Sequence, residues 1–434
     1  MPTPRGFLSQ LLLSVAVALA MGCAASQVGD GDGDDNASAV SRVLTIDELQ
    51  AIHLQAGTTH PIAVFDNPES FHTPGVLGST IGPVKGRGDT TFDFPGAGRM
   101  FVLAGNHTSA QLTFSVVVQN VSNAEAVVEV RGVLYSKHVT TGLTLSEDYA
   151  QGRFSGPHAI VSKGMALAEA GKDGYLQKSV RIAAHASAVM LTARHAVRGE
   201  IFAILDFVAR DAASSAPSKF RFAATSTERA HDTASLKALA AGTLVGAGTD
   251  EDFAPENLGI PPPGRKILGR ANGVALVGDR VRASRTVSLG ASGHREGDLF
   301  LATRREAANG DTSEIVILDR VLDRGSRAVD GNFGVTYELE YKVETAEPRT
   351  VDILLTAPTD RDGPHTALGG ELTLGIRWKS ASGESFKAVR VDARGDAVPL
   401  ASFAVKPGAP VSFAIEFTHV GNTFPPAGIE FRTR

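Results

Sequence analysis

Two residue types in the first half of the chain could do metal chemistry. Nine of the twelve histidines precede residue 232, and only His294, His365 and His419 follow it. The run from Thr59 to Gly75 (THPIAVFDNPESFHTPG) brings His60, Asp66, Glu69 and His72 into one loop-rich stretch. Two imidazoles and two carboxylates suit Zn, Cu or Fe, so these four residues are the candidate ligands of a transition metal. Their spacing is not that of an HExxH helix. The chain has one Cys, which leaves out a disulfide framework and a thiolate cage.

Nucleophilic catalysis has less to stand on. There is no G-x-S-x-G elbow and no phosphate-binding G-x-x-x-x-G-K-[ST] loop. Ser155 and His158 sit three apart in GRFSGPH, but catalytic pairs are assembled in space and rarely from sequence neighbours. Arg87-Gly88-Asp89, inside GPVKGRGDTT, reads as a glycine turn with solvated charges. The reading therefore leans away from an enzyme. A sugar platform needs flat, exposed aromatic faces. Of the aromatics 21 are Phe, against five Tyr and one Trp. Trp378, Tyr337 and Tyr341 fall on inward positions, which leaves Tyr135, Tyr149 and Tyr175 as platform candidates.

The elements that would position such groups are strands. Alternation of period two puts Leu112, Phe114, Val116 and Val118 on one face, and Val335, Tyr337, Leu339, Tyr341 and Val343 on another. Leu372, Leu374, Ile376 and Trp378 repeat it, as do Val411, Phe413, Ile415 and Phe417. Strands with one wet and one dry face belong to antiparallel sandwiches. Gly375 is the point where a bulge would turn Trp378 outward. Thr45 and Glu48 form a capping box for a short opening helix, and Thr233–Ala241 reads as a helix ended by Gly242.

The halves also match. Leu112–Val118 and Ala126–Val130 map onto Tyr337–Val343 and Val351–Leu355 at a constant offset of 225. Val180–Ile182, a turn at His185 and Val189–Leu191 resemble Phe403–Val405, a turn at Pro407-Gly408 and Val411–Phe413. The expected fold is all-β, with two tandem Ig-like antiparallel β-sandwich domains from an old duplication. The expected domains are 43–255 and 265–434, joined by the Pro-rich linker 256–264 around Pro261-Pro262-Pro263.

The N-terminus is an address. Residues 1–22 carry Arg5, an apolar run from Phe7 to Ala20, and Ala20-Met21-Gly22 ahead of Cys23. That run is too short and too polar to span a bilayer comfortably. It resembles a bacterial lipoprotein signal, although Ala20 and Met21 depart from the usual Leu and small residue. The resemblance implies that Cys23 becomes diacylated and holds the protein to membrane lipid. Ala24, where inner-membrane lipoproteins have Asp, resembles the outer-membrane pattern of a Gram-negative cell. Residues 23–42 include GDGDGDDN and read as an acidic flexible tether; a calcium loop would need the missing closing Gly and Glu.

The balance of 42 Lys+Arg against 47 Asp+Glu gives a net charge of -5 and offers no basic face for nucleic acid. With 43% hydrophobic and 21% charged residues the chain is a folding one. The chain also resembles a family of secreted bacterial proteins. It shares Asn67-Pro68-Glu69-Ser70 followed by Pro74-Gly75, a "VVVQN" hairpin strand (Val116–Asn120), and Gly331-Asn332-Phe333-Gly334-Val335-Thr336-Tyr337. The resemblance implies an all-β, two-part body over most of residues 60–430 and implies no activity. The functional expectation is a lipid-anchored cell-envelope protein of structural or partner-binding type, its partner an envelope protein or glycan. The alternatives are a carbohydrate-binding surface module, or a metal-binding protein or enzyme using the first-half histidines.

Overall fold

The computed structural model describes residues 43–52, 54–57, 60–66, 70–85, 91–136, 139–141, 161–162, 164–166, 168, 176–248, 272–276, 278–301, 316–317, 320–321, 328–329, 334–358, 372–391, 395, 397–420 and 427–434. A 3-10 turn, Ile46–Glu48, opens it, with the Thr45 amide donating to Glu48 Oε2 at 2.8 Å. Only this half of the capping box forms, since Thr45 Oγ1 donates to Glu48 Oε2 and the Glu48 amide donates to the Thr45 carbonyl; the helix is a single turn, because β1 follows at once.

The first strands are β1 (Gln50–Ala51), β2 (Gln55–Ala56), β3 (Ile62–Phe65), β4 (Ser70–Phe71) and β5 (Gly75–Ser79). Then come β6 (Phe94–Pro95), β7 (Ala97–Asn106), β8 (Leu112–Asn120), β9 (Ala126–Ser136) and β10 (Val139–Thr141). The first half closes with β11 (Leu176–Ile182), β12 (Ser187–His195), β13 (Glu200–Asp211) and β14 (Lys219–Thr227). Helix α1 (Thr233–Ala240) follows, capped by Asp232 and stopped before Gly242, whose φ of 68° suits glycine.

The second half holds β15 (Asn272–Ala275), β16 (Arg280–Leu289), β17 (Arg295–Leu301), β18 (Val316–Ile317), β19 (Arg320–Val321) and β20 (Ala328–Val329). It continues with β21 (Thr336–Thr345), β22 (Arg349–Thr356), β23 (Leu372–Ser380) and β24 (Gly383–Val391). The last strands are β25 (Ala397–Val405), β26 (Val411–Thr418) and β27 (Ala427–Thr433).

These strands build an all-β sandwich architecture. Sheet I runs β12-β8-β14-β5, and sheet II runs β10-β9-β13-β7-β3-β15-β19 with β11 also on β9. Between them lies a core that includes Phe114, Val116 and Val118 from sheet I and Met100, Val102, Leu205 and Phe207 from sheet II. Sheet III runs β2-β16-β21-β26-β23-β24, and sheet IV runs β1-β17-β27-β22-β25. Tyr341 of sheet III meets Phe431 of sheet IV with ring centroids 5.1 Å apart.

Pairing follows the same scheme in both halves. β8 and β9 do not form a hairpin: β8 lies in sheet I and β9 in sheet II, just as β21 lies in sheet III and β22 in sheet IV. Each of these two segments leaves one sheet and enters the facing one, whereas β9–β10 and β23–β24 stay within a single sheet. In sheet II the order β3-β7-β13-β9-β11 matches β1-β17-β27-β22-β25 in sheet IV. The first pair of each series is parallel and the other pairs are antiparallel. The register agrees as well: Leu191 faces Val116 on β8, and Phe413 faces Tyr341 on β21. The turns that precede β12 and β26 carry positive φ at His185 (57°) and Gly408 (70°).

Strands also cross between the halves. β1 and β2, from the N-terminal segment, complete sheets IV and III, and β15 pairs with β3 in sheet II. The expected linker 256–264 lies outside the described residues. The outer side of sheet II, with Val64, Phe101, Phe202 and Ile204, belongs to the same buried cluster as Tyr337, Leu339 and Ile353 of the second half. Contacts gather Arg42–Arg434 into one unit. Gly334 makes this close approach possible: its φ is 81°, and a Cβ there would meet Ile62 and Phe101 at 3.0 Å.

Candidate docking face

Of the four sequence-predicted metal ligands, the three that are described, His60, Asp66 and His72, are not brought together. β3 and β4 both run parallel to β7, with Ile62 beside Arg99 and Phe71 beside Asn106. At about 3.3 Å per residue this already sets Ile62 and Phe71 roughly 23 Å apart, and His60 and His72 lie beyond them toward opposite ends of β7. The His60 amide instead donates to Asp279 Oδ1 at 3.0 Å. Asp66 is buried, and Glu69 lies outside the described residues. The exposed His72 ring meets His107 edge to face, with centroids 5.6 Å apart. Among the described residues no three His, Cys, Asp or Glu side chains group as a metal site. Cys23, Arg87–Asp89, Ser155, His158, Tyr149 and Tyr175 lie outside the described residues.

Trp378 settles into the core. β23 pairs with β24 without a register shift from Leu372 to Ser380, so Gly375 makes no bulge. Trp378 is 5% exposed and stacks on Phe413 at 4.5 Å. Gly375 has another role: its N–H donates to Ser162 Oγ at 2.8 Å, an approach that ties the first half to sheet III. Tyr135 is half-buried against the core.

Local periodicity gave no hint of Arg99, the largest fully buried polar side chain. It sits on β7, pairs with both carboxylate oxygens of Asp206 (2.6 and 3.0 Å), and donates to the Asp279 and Gly334 carbonyls and Thr336 Oγ1. Burial, more than any nearby charge, pushes the Asp279 carboxyl up from its usual range. This cluster bolts the two halves together.

The open chemistry lies on the outer face of sheet III. The inward residues of β16, β21, β26 and β23 are core, so their alternates form a polar surface. Arg280 and Arg282 of β16 hold Glu338 of β21. Glu416 of β26, with a side chain only 3% exposed, takes Arg377 at 3.2 Å and Lys379, both from β23. Beside this ladder is an open groove of about 480 Å³, bordered by Ser284, Thr286, Glu340, Lys342, Lys379 and Ser412. Its walls join hydroxyls and long charged side chains to apolar surface from Tyr341, Phe413 and Ala414, on four adjoining strands. Such a surface can hydrogen-bond and ion-pair with a polar partner, and its rigid backing lowers the ordering cost of binding. The signal was present in the sequence as outward parity, but which strands lie side by side was not.

Among the described residues no helix is long and apolar enough to cross a membrane. No protein-family model matches the chain, and no curated protein matches it. Among solved structures, the exported protein XepA of PBSX is 8% identical, with 74% of this chain and 76% of that one covered and a TM-score of 0.14. The CUB1-EGF-CUB2 region of human MASP-1/3 is 9% identical, with coverage of 77% and 99% and a TM-score of 0.15. The Macrobrachium rosenbergii nodavirus structure is 8% identical, with coverage of 94% and 96% and a TM-score of 0.14. Likeness at that level carries neither a family nor a function to this chain.

Proposed function

We propose that this chain is an exported, lipid-anchored cell-envelope protein that works by binding a partner, with the outer face of sheet III as its docking surface. The observation that carries the docking role is the groove bordered by Ser284, Glu340, Lys342 and Ser412, open to solvent above a fully packed core. The anchoring part rests on the N-terminal signal, Cys23 and the acidic tether of residues 23–42. Diacylation of Cys23 with a second signal such as an amide-linked chain gives firm attachment, because each buried CH₂ contributes about 0.8 kcal/mol. The partner is an envelope protein or a glycan whose surface presents hydrogen-bonding and charged groups. A glycan here would be held by hydroxyls, Lys and Glu, since Trp378 is committed to the core.

Two variants test the two parts. Cys23→Ser moves the protein from the membrane fraction to the soluble one if the anchor reading is right, and leaves it in the membrane fraction if it is wrong. Lys342→Glu with Ser412→Arg changes two exposed positions and no core contact. Affinity purification from native envelopes then recovers the partner with the unaltered groove and loses it with the altered one. Equal recovery from both contradicts the docking face.

A further inference from the structure

Two histidines distant in sequence meet at one end of sheet II. β4 runs parallel to β7 with Phe71 beside Asn106, so His72 and His107 follow as the next pair in that register. Phe71 and Asn106 are buried, and alternation turns the next residue of each segment to the opposite, exposed side. There the two rings stand with centroids 5.6 Å apart and their planes at 75°.

We propose that His72 and His107 together chelate one divalent transition-metal ion such as zinc, with water in the remaining positions. The proposal is independent of the docking face on sheet III. An imidazole nitrogen sits about 2.0–2.1 Å from zinc, which puts the ring centre roughly 3.2 Å from the ion. Two such rings at the tetrahedral angle then have centres roughly 5.2 Å apart. The observed 5.6 Å is within about 0.5 Å of this. The edge-to-face contact has to open by a turn of one ring, a rotation that exposed side chains make freely. Neither backbone needs to move.

Both backbones are held in place. The His107 N–H donates to the Phe71 carbonyl at 2.9 Å, and the His72 N–H to the Gly248 carbonyl at 2.8 Å. The Gly248 N–H returns to Thr73 Oγ1 at 2.8 Å. Beyond His107, Asn106 Oδ1 accepts from the amide and the hydroxyl of Thr108, while its Nδ2 donates to the Ala110 and His195 carbonyls. A pair fixed on both sides loses little freedom when it binds, which is what a two-point chelate requires.

The chemistry of the pair selects the ion. Glu200 stands opposite Gly105 on β7, and the Arg198 N–H donates to the Asn106 carbonyl, so the exposed charges beside the pair are one of each sign. With no excess of carboxylates the imidazoles set the preference, for zinc, nickel or copper over calcium and magnesium. The buried His195 takes no part, since its two nitrogens face Ser226 Oγ and the Gly199 carbonyl.

The test uses the full chain with Cys23→Ser, which removes the one thiol, stripped with a chelator and titrated with Zn(II) in equilibrium dialysis. His72→Ala and His107→Ala each weaken the tightest zinc equivalent at least about tenfold, since losing even a hydrogen bond behind a ligand costs about 10–100-fold. The double variant binds no more weakly than either single one, because the chelate is already broken. His185→Ala, which removes an exposed ring bonded to Asn123, leaves zinc affinity unchanged. Metal-free melting curves check that the variants fold, and His107→Gln replaces an alanine variant that does not. As a second readout, zinc raises the melting temperature of the parent and not of the variants. Equal zinc affinity in the parent and both single variants overturns the proposal. So do losses that add in the double variant, which would mean two separate one-histidine sites.

Discussion

Glu338 on β21 and Glu416 on β26 stand directly opposite each other on neighbouring strands. Like charges so placed oppose sheet formation. The arrangement holds because cations flank both: Arg280 and Arg282 on one side, Arg377 and Lys379 on the other. Arg377→Met leaves the buried Glu416 with Lys379 and a distant Arg280, whose Nη1 is 4.0 Å away. The expected loss is about 1–3 kcal/mol in urea unfolding. Adding Glu416→Gln should recover part of it. An unchanged midpoint in the single variant would mean that the ladder is decorative.

His195 makes stability depend on pH. It is fully buried; its Nδ1 lies 2.9 Å from Ser226 Oγ and its Nε2 lies 3.2 Å from the Gly199 carbonyl. A neutral ring donates from Nε2 to Gly199 and accepts from Ser226. Burial lowers its pKa from 6.5 to about 4. The unfolded chain therefore binds the proton first. The neutral ring's contribution is complete above about pH 6.5, and is lost as pH falls from there to about 4. It amounts to about 3 kcal/mol. His195→Gln should flatten that part of the stability profile; an equally steep profile in the variant removes His195 as its source.

Trp378→Ala should cost about 3–5 kcal/mol through lost burial and a cavity beside Phe413 and Phe403. Emission from the sole indole should be blue-shifted and poorly quenched by iodide. Solvent-like emission would contradict the core position.

The parity of Trp378 was legible because apolar alternation reports which side of a strand is dry. The same signal identified the inward residues of β8, β21, β23 and β26. It could not report partners. Nothing in Leu112–Val130 says that β8 and β9 enter facing sheets, or that β1 pairs in parallel with β17. Two of the expected metal ligands part for the same reason: His60 and His72 are near in sequence, but two strands parallel to β7 carry them apart. The groove escaped notice because its residues come from four strands whose adjacency is a tertiary fact.

Cutting the chain tests how far the halves depend on each other. Residues 43–255 made alone lack β15 on sheet II and the cover over Val64, Phe101 and Phe202. Residues 265–434 made alone lack β1 and β2. Each large apolar side chain uncovered removes roughly 1.5–3 kcal/mol. Each half should unfold at lower urea than the intact chain, and mixing them should restore part of the difference. Halves as stable as the whole would show that the shared cluster adds nothing.

The docking face is tested most directly by a photo-crosslinking residue at Ser412, on the groove, compared with one at Ser402, exposed on β25 of sheet IV. In intact cells with Cys23 unaltered, illumination should yield a discrete adduct from Ser412 and none from Ser402. The Ser412 adduct should disappear with Lys342→Glu. Adducts of equal yield from both positions, or from Ser402 alone, would contradict the assignment of this face as the binding surface.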